Sequence, residues 1–231
     1  MPGNTKVSIV IPALNEEKSI GLVINDIPRD LVREVVVVDN GSSDNTAQVA
    51  VNLGARVIAE PYKGYGSACL RGISVLDRDT DVVVFIDADY SDYPQDINAL
   101  LNPLLTDKAD LVIGSRLLGP REKGALLPQA IFGNKLAAFL LRLFYGFRYT
   151  DLGPLRAIRY KDLIGLGMRD RNYGWTVEMQ IRAIQKGLRV IEVPVRYRKR
   201  IGKSKITGTI SGTLGAGVKI IYTIIKYSFL R

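Results

Sequence analysis

The sequence predicts an α/β protein built on a mostly parallel sheet with helices on both faces. Three observations carry this. Short, near-continuous apolar runs rich in Val and Ile alternate with helix-like segments through the first half of the chain. Each run ends abruptly in polar or turn residues. The 231 residues are 47% hydrophobic, enough for a core, and no stretch approaches the roughly 18 consecutive apolar residues of a spanning helix.

The first strand is predicted at Lys6–Ile11, ending at Pro12. Val35–Val38 ends at Asp39, Ala55–Ala59 is a short third run, Val82–Ile86 ends at Asp87, and Leu111–Ile113 ends at Gly114-Ser115-Arg116. Helices are expected at Glu16–Asp26, Asp44–Leu53, Gly66–Leu76 and Gln95–Leu105. In the second half, Leu126–Phe147 is a long, mostly apolar helical pattern, and Asp151–Arg156 is a turn-rich strand candidate. Gly174–Lys186 reads as a helix, Leu188–Val193 as a strand, and about Ile210–Leu230 as an apolar helix carrying lysines. No repeat or low-complexity linker interrupts the chain. The expected organisation is one domain over residues 1–207, in two halves at 1–116 and 117–207. An amphipathic helix at 208–231 follows.

The formal net charge of +9 is unevenly placed. Nine of the 32 Lys and Arg lie beyond residue 195, and none of the 23 Asp and Glu does, so residues 1–195 balance 23 against 23. A neutral body with a basic tail argues against a nucleic-acid binder. There is no histidine, which excludes a His general base, a Ser-His-Asp triad and His-ligated zinc. The single cysteine, Cys69, excludes an internal disulfide and suits a reducing compartment. The opening residues lack the apolar segment of a signal peptide.

In parallel sheets ligands bind beyond the carboxyl ends of the strands. Here those ends carry Asn15, Glu16, Asp39, Asp87, Asp89 and Arg116. Asp87-Ala88-Asp89 is the strongest signal. Two carboxylates at i and i+2 on a tight turn can both face one hard divalent ion, or one can face a sugar hydroxyl; an acidic turn capping the next helix also fits. Asp92 adds a third acid nearby. Asp39, at a strand end before Asn40-Gly41-Ser42, can accept hydrogen bonds from a base or ribose. Asn15 reads equally as a helix N-cap. Lys63-Gly64-Tyr65-Gly66 opens a helix with glycines that let a phosphate approach backbone N–H groups, at a spacing of neither a P-loop nor a dinucleotide fingerprint.

In this order and spacing, SIVIPALNEE, VVVVDNGSSDNT, KGYGSACLRGI, FIDADYSDYP and GSR resemble the family 2 inverting nucleotide-sugar glycosyltransferases of GT-A fold. The similarity is strong over residues 6–116, and it implies that 1–116 is the nucleotide-sugar-binding half and 117–207 the acceptor-binding half. It continues more loosely through DLGPLRAI, GWTVEMQ, IEVPV and RIGKSK. The nearest branch is the dolichyl-phosphate mannose synthases and polyprenyl-phosphate glycosyltransferases. The resemblance implies that Pro12, Ala13, Leu14, Asn15 and Glu16 line the base and ribose pocket, with Asp39 on the base. Asp87 and Ala88 would meet nucleotide and sugar, and Asp89, with Asp87, a Mn²⁺ or Mg²⁺ ion on the diphosphate. Arg116 would meet the phosphate region, and Arg200, Lys203, Ser204 and Lys205 would form a loop over donor and acceptor phosphates. The chain departs from the family pattern at Asn40, where a second acid is frequent, and at Ser91, where Gln is frequent. It departs also after GSR, where the acceptor-segment Arg of those enzymes has no clear counterpart and Arg121 or Lys123 is the candidate substitute.

A hydroxyl acceptor needs a general base, and Glu178 is the candidate; pairing of Glu178 with a nearby Arg fits equally. A phosphate acceptor, with a second pKa of about 6, arrives ionised and needs cations instead. The basic segment Arg196–Lys205 suits it. Lys219 and Lys226, seven apart on the last helix, suggest a helix lying on an anionic membrane, although packing on the body or against a second copy fits as well. Leu136–Phe147 is a second interfacial candidate or a core helix. The expected activity is transfer of a hexose, mannose from GDP-mannose first and glucose from UDP-glucose second, to a polyprenyl (dolichyl-type) phosphate at the cytoplasmic membrane face. Attachment is expected to be peripheral. A hydroxyl-directed transferase and a non-catalytic nucleotide-sugar binding module are the rivals.

Overall fold

The computed structural model describes residues 5–202 and 210–229, with the side chains of the last helix described from residue 215. The elements run β1 (Val7–Ala13), α1 (Ile20–Asp26), β2 (Glu34–Asp39), α2 (Thr46–Asn52), β3 (Arg56–Ala59), α3 (Tyr65–Ser74), β4 (Val82–Phe85), α4 (Ile97–Leu105) and β5 (Leu111–Ser115). They continue with α5 (Pro128–Tyr145), β6 (Arg156–Arg159), α6 (Tyr160–Leu166), α7 (Trp175–Gln185), β7 (Val190–Pro194) and α8 (Ile210–Ser228).

The strands form one sheet in the order β3-β2-β1-β4-β6-β5-β7. All pairings are parallel except those of β6, which is antiparallel to both β4 and β5. The period-2 alternation of the strands loads both faces. Val35, Val37, Val82 and Val84 join α1, α2 and α4 in one core, while Val36, Val38, Val83 and Phe85 join α3, α5, α6, α7 and α8 in the other. Trp175 is fully buried in the second core, its ring edge-on to Phe85 at 4.8 Å.

Four local readings need correction. β1 runs through Pro12 to Ala13. The β4 ladder reaches only Val10, while the β2 ladder continues to Ala13, so the missing proline N–H removes no bond. α1 starts at Ile20, because Asn15 sits at φ 52° and residues 16–19 form a turn closed on the Glu16 carbonyl. Asp151–Leu155 is a loop tied down by the Asp151 carboxylate, and the strand begins at Arg156, after Pro154. α6 was not foreseen.

β1 connects outward to β2 and β3, and the chain then returns to β4 on the other side of β1. This reversal opens a crevice between the carboxyl ends of β1 and β4.

Candidate active site

The crevice is a cavity of about 320 Å³. Ten residues singled out in the sequence meet on its wall: Pro12 and Ala13 at the end of β1, Leu14 and Glu16 after it, Lys63 and Gly64 before α3, Asp87, Ala88 and Asp89 after β4, and Arg200. Asn40, Tyr65, Asn172 and Tyr173 complete the polar and aromatic lining.

Asn15 and Asp39 are not among the lining residues. Asn15 Oδ1 accepts the Ser43 amide at 2.8 Å, and Asp39 Oδ1 accepts the Ser42 amide at 3.1 Å. The Asn15 bond ties the end of β1 to the loop after β2, the Asp39 bond closes the turn after β2, and α1 starts beyond Ser19, so Asn15 is not its cap. Asn40 holds the next loop. Its Nδ2 donates to the carbonyls of Glu60 and Tyr62 at 2.9 and 2.8 Å, and its Oδ1 accepts the Gly64 amide at 2.8 Å. An amide is required, since a carboxylate has no proton for two carbonyls. Lys63 Nζ donates to the carbonyls of Asn40 and Gly41. A Cβ on Gly64 or Gly66 would overlap the carbonyl of Arg171 or Asp170, and Gly64 also has φ 137°. The first turn of α3 therefore presses on the 170–172 loop, and the Ser67 amide donates to Arg171 O at 2.9 Å.

The two acids after β4 are held differently. Asp89 is 5% exposed, and its Oδ1 accepts the amide and hydroxyl of Ser91. Its Oδ2 lies 3.2 Å from Arg200 Nη2, which reaches Glu16 Oε1 at 3.1 Å. Burial and then the neighbouring Asp89 charge push the Asp87 carboxyl up to about 7. Asp87 Oδ1 is buried without a hydrogen-bond partner. Two hard oxygen donors, one unpartnered and both close to like charge, fit a divalent cation. Among the described residues no group of three or more Cys, Asp or Glu side chains could hold an ion alone. Further ligands would come from a diphosphate or water. Asp92 lies off the cavity, buried, with neither carboxylate oxygen hydrogen-bonded; burial pushes its carboxyl well up.

The basic segment folds onto this acidic turn. The Arg198 amide donates to Ser91 O and the Ile201 amide to Asp89 O. The Arg198 guanidinium stacks 3.3 Å from the Tyr90 ring centroid and 4.0 Å from that of Tyr93. These contacts put Arg200 over Asp89. Lys203, Ser204 and Lys205 lie outside the described residues.

Arg116 is not on the wall. Its backbone N, Nε and Nη2 donate to Asp151 at 2.7–2.9 Å, and its guanidinium lies over Tyr197. Burial alone would raise the Asp151 carboxyl, but Arg116 outweighs it and holds it low. Asp151 was missed, although an Asp after a turn was the visible signal. Glu178 corrects a larger expectation. It is fully buried in α7, away from the cavity, and accepts from the Arg169 and Asp170 amides, Arg182 Nε and Tyr227 Oη. Fully buried, off the cavity lining and held by four donors, this carboxylate is not presented to the cavity, and of the two readings its pairing with an Arg is the one the geometry matches.

Residues 8–163 match the family described as glycosyl transferase family 2. The chain is 40% identical over 211 residues to an uncharacterized glycosyltransferase of Mycobacterium tuberculosis, covering 90% of this chain and 93% of that one. It is 34% identical over 230 residues to the undecaprenyl-phosphate mannosyltransferase of Micrococcus luteus, covering 90% of each. Among solved structures, glucosyl-3-phosphoglycerate synthase of Mycobacterium tuberculosis, in complex with Mn²⁺, UDP-glucose and phosphoglyceric acid, aligns with a TM-score of 0.79 at 26% identity, over 98% of this chain and 80% of that one. The wall built from β1, α3 and β4 thus lies within a matched segment, and the chain belongs to glycosyl transferase family 2.

Proposed function

We propose that this glycosyltransferase moves a hexose from a nucleoside diphosphate sugar to a polyprenyl phosphate of dolichyl type, with inversion and with a divalent cation. Mannose from GDP-mannose is the favoured donor, supported by the likeness to a mannosyltransferase; UDP-glucose, present in the aligned synthase structure, is the alternative. The observation that carries the acceptor class is the wall itself. Its acids are Glu16, Asp87 and Asp89; Glu16 is paired with Arg200, and the other two form the cation-binding pair. No carboxylate is left over as a base, and Glu178 is buried elsewhere. An acceptor phosphate needs none, being largely a dianion at neutral pH.

In this scheme a phosphate oxygen attacks C1 of the hexose from the face opposite the diphosphate. The C1–O bond breaks, and its electron pair leaves on the nucleoside diphosphate. Arg200, already between Glu16 and Asp89, meets the negative charge of the leaving diphosphate. A divalent cation at Asp87 and Asp89 would supply further charge neutralisation on the same oxygens.

No described helix is long and apolar enough to cross a membrane. Phe132, Phe139 and Leu143 on α5, Val218 on α8 and Phe229 just after it are all more than half exposed, and α5 packs on α8 through Tyr145 Oη to Ile224 O. These residues support peripheral attachment to the cytoplasmic face beside a lipid acceptor.

A thermal-shift panel of GDP-, UDP- and dTDP-sugars with Mn²⁺ or Mg²⁺ tests donor binding. The expected result is a shift with one nucleotide class that requires the cation and disappears in Asp89→Ala; ligand at 100 times its Kd adds about 2.7 kcal/mol. No nucleotide-dependent shift in any pairing contradicts the proposal.

A further inference from the structure

Behind the loop that brings Asn172 and Tyr173 to the donor cavity lies a second cavity of about 240 Å³, with no part in the transfer scheme. One wall is the loop at 169–171 with Arg182 of α7, and the other is a face of α8. Lys219, Tyr222, Thr223, Lys226 and Tyr227 stand at i, i+3, i+4, i+7 and i+8, so the helix presents them as one stripe. The cavity gathers five cations, Arg169, Arg171, Arg182, Lys219 and Lys226, around a single acid, Asp170.

Two of the five are compensated. Lys219 Nζ lies 2.9 Å from Asp170 Oδ2, and Arg182 pairs with Glu178. Arg169, Arg171 and Lys226 form no ion pair among the described residues; Arg171 lies 5.9 Å from the Tyr62 ring centroid and Lys226 6.0 Å from that of Tyr227, contacts that leave their charges uncompensated by an acid. Such an arrangement is self-repelling until an anion lies within it. Guanidinium forks together with an ammonium match the oxygens of a phosphate group.

The surroundings indicate the source of that phosphate. Val218 and Ile225 of α8 and Phe229 just after it are 67%, 41% and 83% exposed and run beside the cationic stripe. A ligand with a phosphate for the cavity and alkyl chains for the adjoining apolar stripe matches both features. We infer that the cavity between α8 and the 169–171 loop is a phosphate site that takes the headgroup of an anionic membrane lipid, separate from the donor cavity.

The test uses the full chain in phosphate-free buffer, with inorganic phosphate in calorimetry and co-sedimentation on phosphatidylcholine vesicles with and without phosphatidylglycerol. Arg169→Gln/Lys226→Gln removes two cations that have no ion-pair partner in the fold, and Arg171→Gln is the second variant should the first lose its circular-dichroism spectrum. The expected result is a preference for phosphatidylglycerol vesicles and a phosphate affinity that both fall at least about tenfold in the variants. Phosphate binding lost in the variants without any preference for phosphatidylglycerol assigns the site to a free phosphate and overturns the lipid source. Wild type and variants binding both probes equally, or neither, overturns the site. None of these readouts needs donor or turnover, so the inference fails or stands apart from the transferase reading.

Discussion

Glu178 and Arg200 show how residue type and placement separate in this fold. Both are charged side chains singled out by sequence, yet one braces α7, α8 and the 169–170 amides while the other stands on the donor wall. Glu178→Gln puts an NH₂ among four donors and removes a buried charge that Arg182 requires. It is expected to lower unfolding stability by about 3 kcal/mol, while the rate per folded molecule stays within about threefold. Urea unfolding and initial rates at low temperature measure the two effects, and a rate collapse at full stability would restore the base. Arg200→Ala is expected to do the reverse, leaving stability nearly intact and lowering kcat by about 10²–10³-fold. Gly66→Ala forces a Cβ against the Asp170 carbonyl and moves the loop under Asn172 and Tyr173. A rise in donor Kd, read by calorimetry, is the expected outcome; an unchanged Kd would show that the loop does not shape the wall.

At the scale of elements, the working assembly is the turn after β4 with residues 196–201 laid across it. Arg198 does this by stacking on Tyr90 and Tyr93 and donating to the carbonyls of Tyr90 and Asp92. Arg198→Ala is expected to cut kcat about tenfold with the same metal requirement, because Arg200 loses its anchor rather than its charge. Arg198→Lys should recover little, since an ammonium lacks the planar stack. The strands were legible because they are buried on both faces, which leaves unbroken apolar runs such as VVVV and VVVF. β6 was misplaced because its four residues, RAIR, carry two arginines and its antiparallel pairing depends on tertiary contacts with β4 and β5. The wall was legible where chemistry sits at strand ends. Asn172 and Tyr173 were not, because a loop far along the chain reaches the site only through its packing on Gly64 and Gly66.

For the whole molecule, charge placement decides both pH response and partner. Hydrogen bonds from Arg189 hold the Asp110 carboxyl at about 2, and those from Lys6 and Arg33 hold Asp79 at about 2, below the ordinary 3.8. Their stabilisation is present above about pH 4 and lost as pH falls toward 2. Asp87, raised to about 7, acts in the opposite sense: its contribution is present below about pH 4 and lost as pH rises through 7. Unfolding free energy of the cation-free protein should therefore peak near pH 4–5. Asp87→Asn should flatten the neutral limb and Arg189→Gln the acid limb; denaturant titrations across pH read both, and limbs unchanged in the two variants would contradict these assignments.

The excess positive charge lies after residue 195, in a segment that begins over the donor wall and ends on α8 beside exposed apolar residues. That arrangement makes a lipid-borne phosphate the acceptor in this account. Its most direct test is the fate of labelled hexose when the full chain is incubated with GDP-mannose or UDP-glucose, Mn²⁺ and vesicles carrying a polyprenyl phosphate. The account predicts label in the organic phase as a lipid released by mild acid, dependent on the polyprenyl phosphate and lost in Asp89→Ala and Arg200→Ala. Label that enters only water-soluble glycosides, or reaches no acceptor while the donor binds, would contradict it.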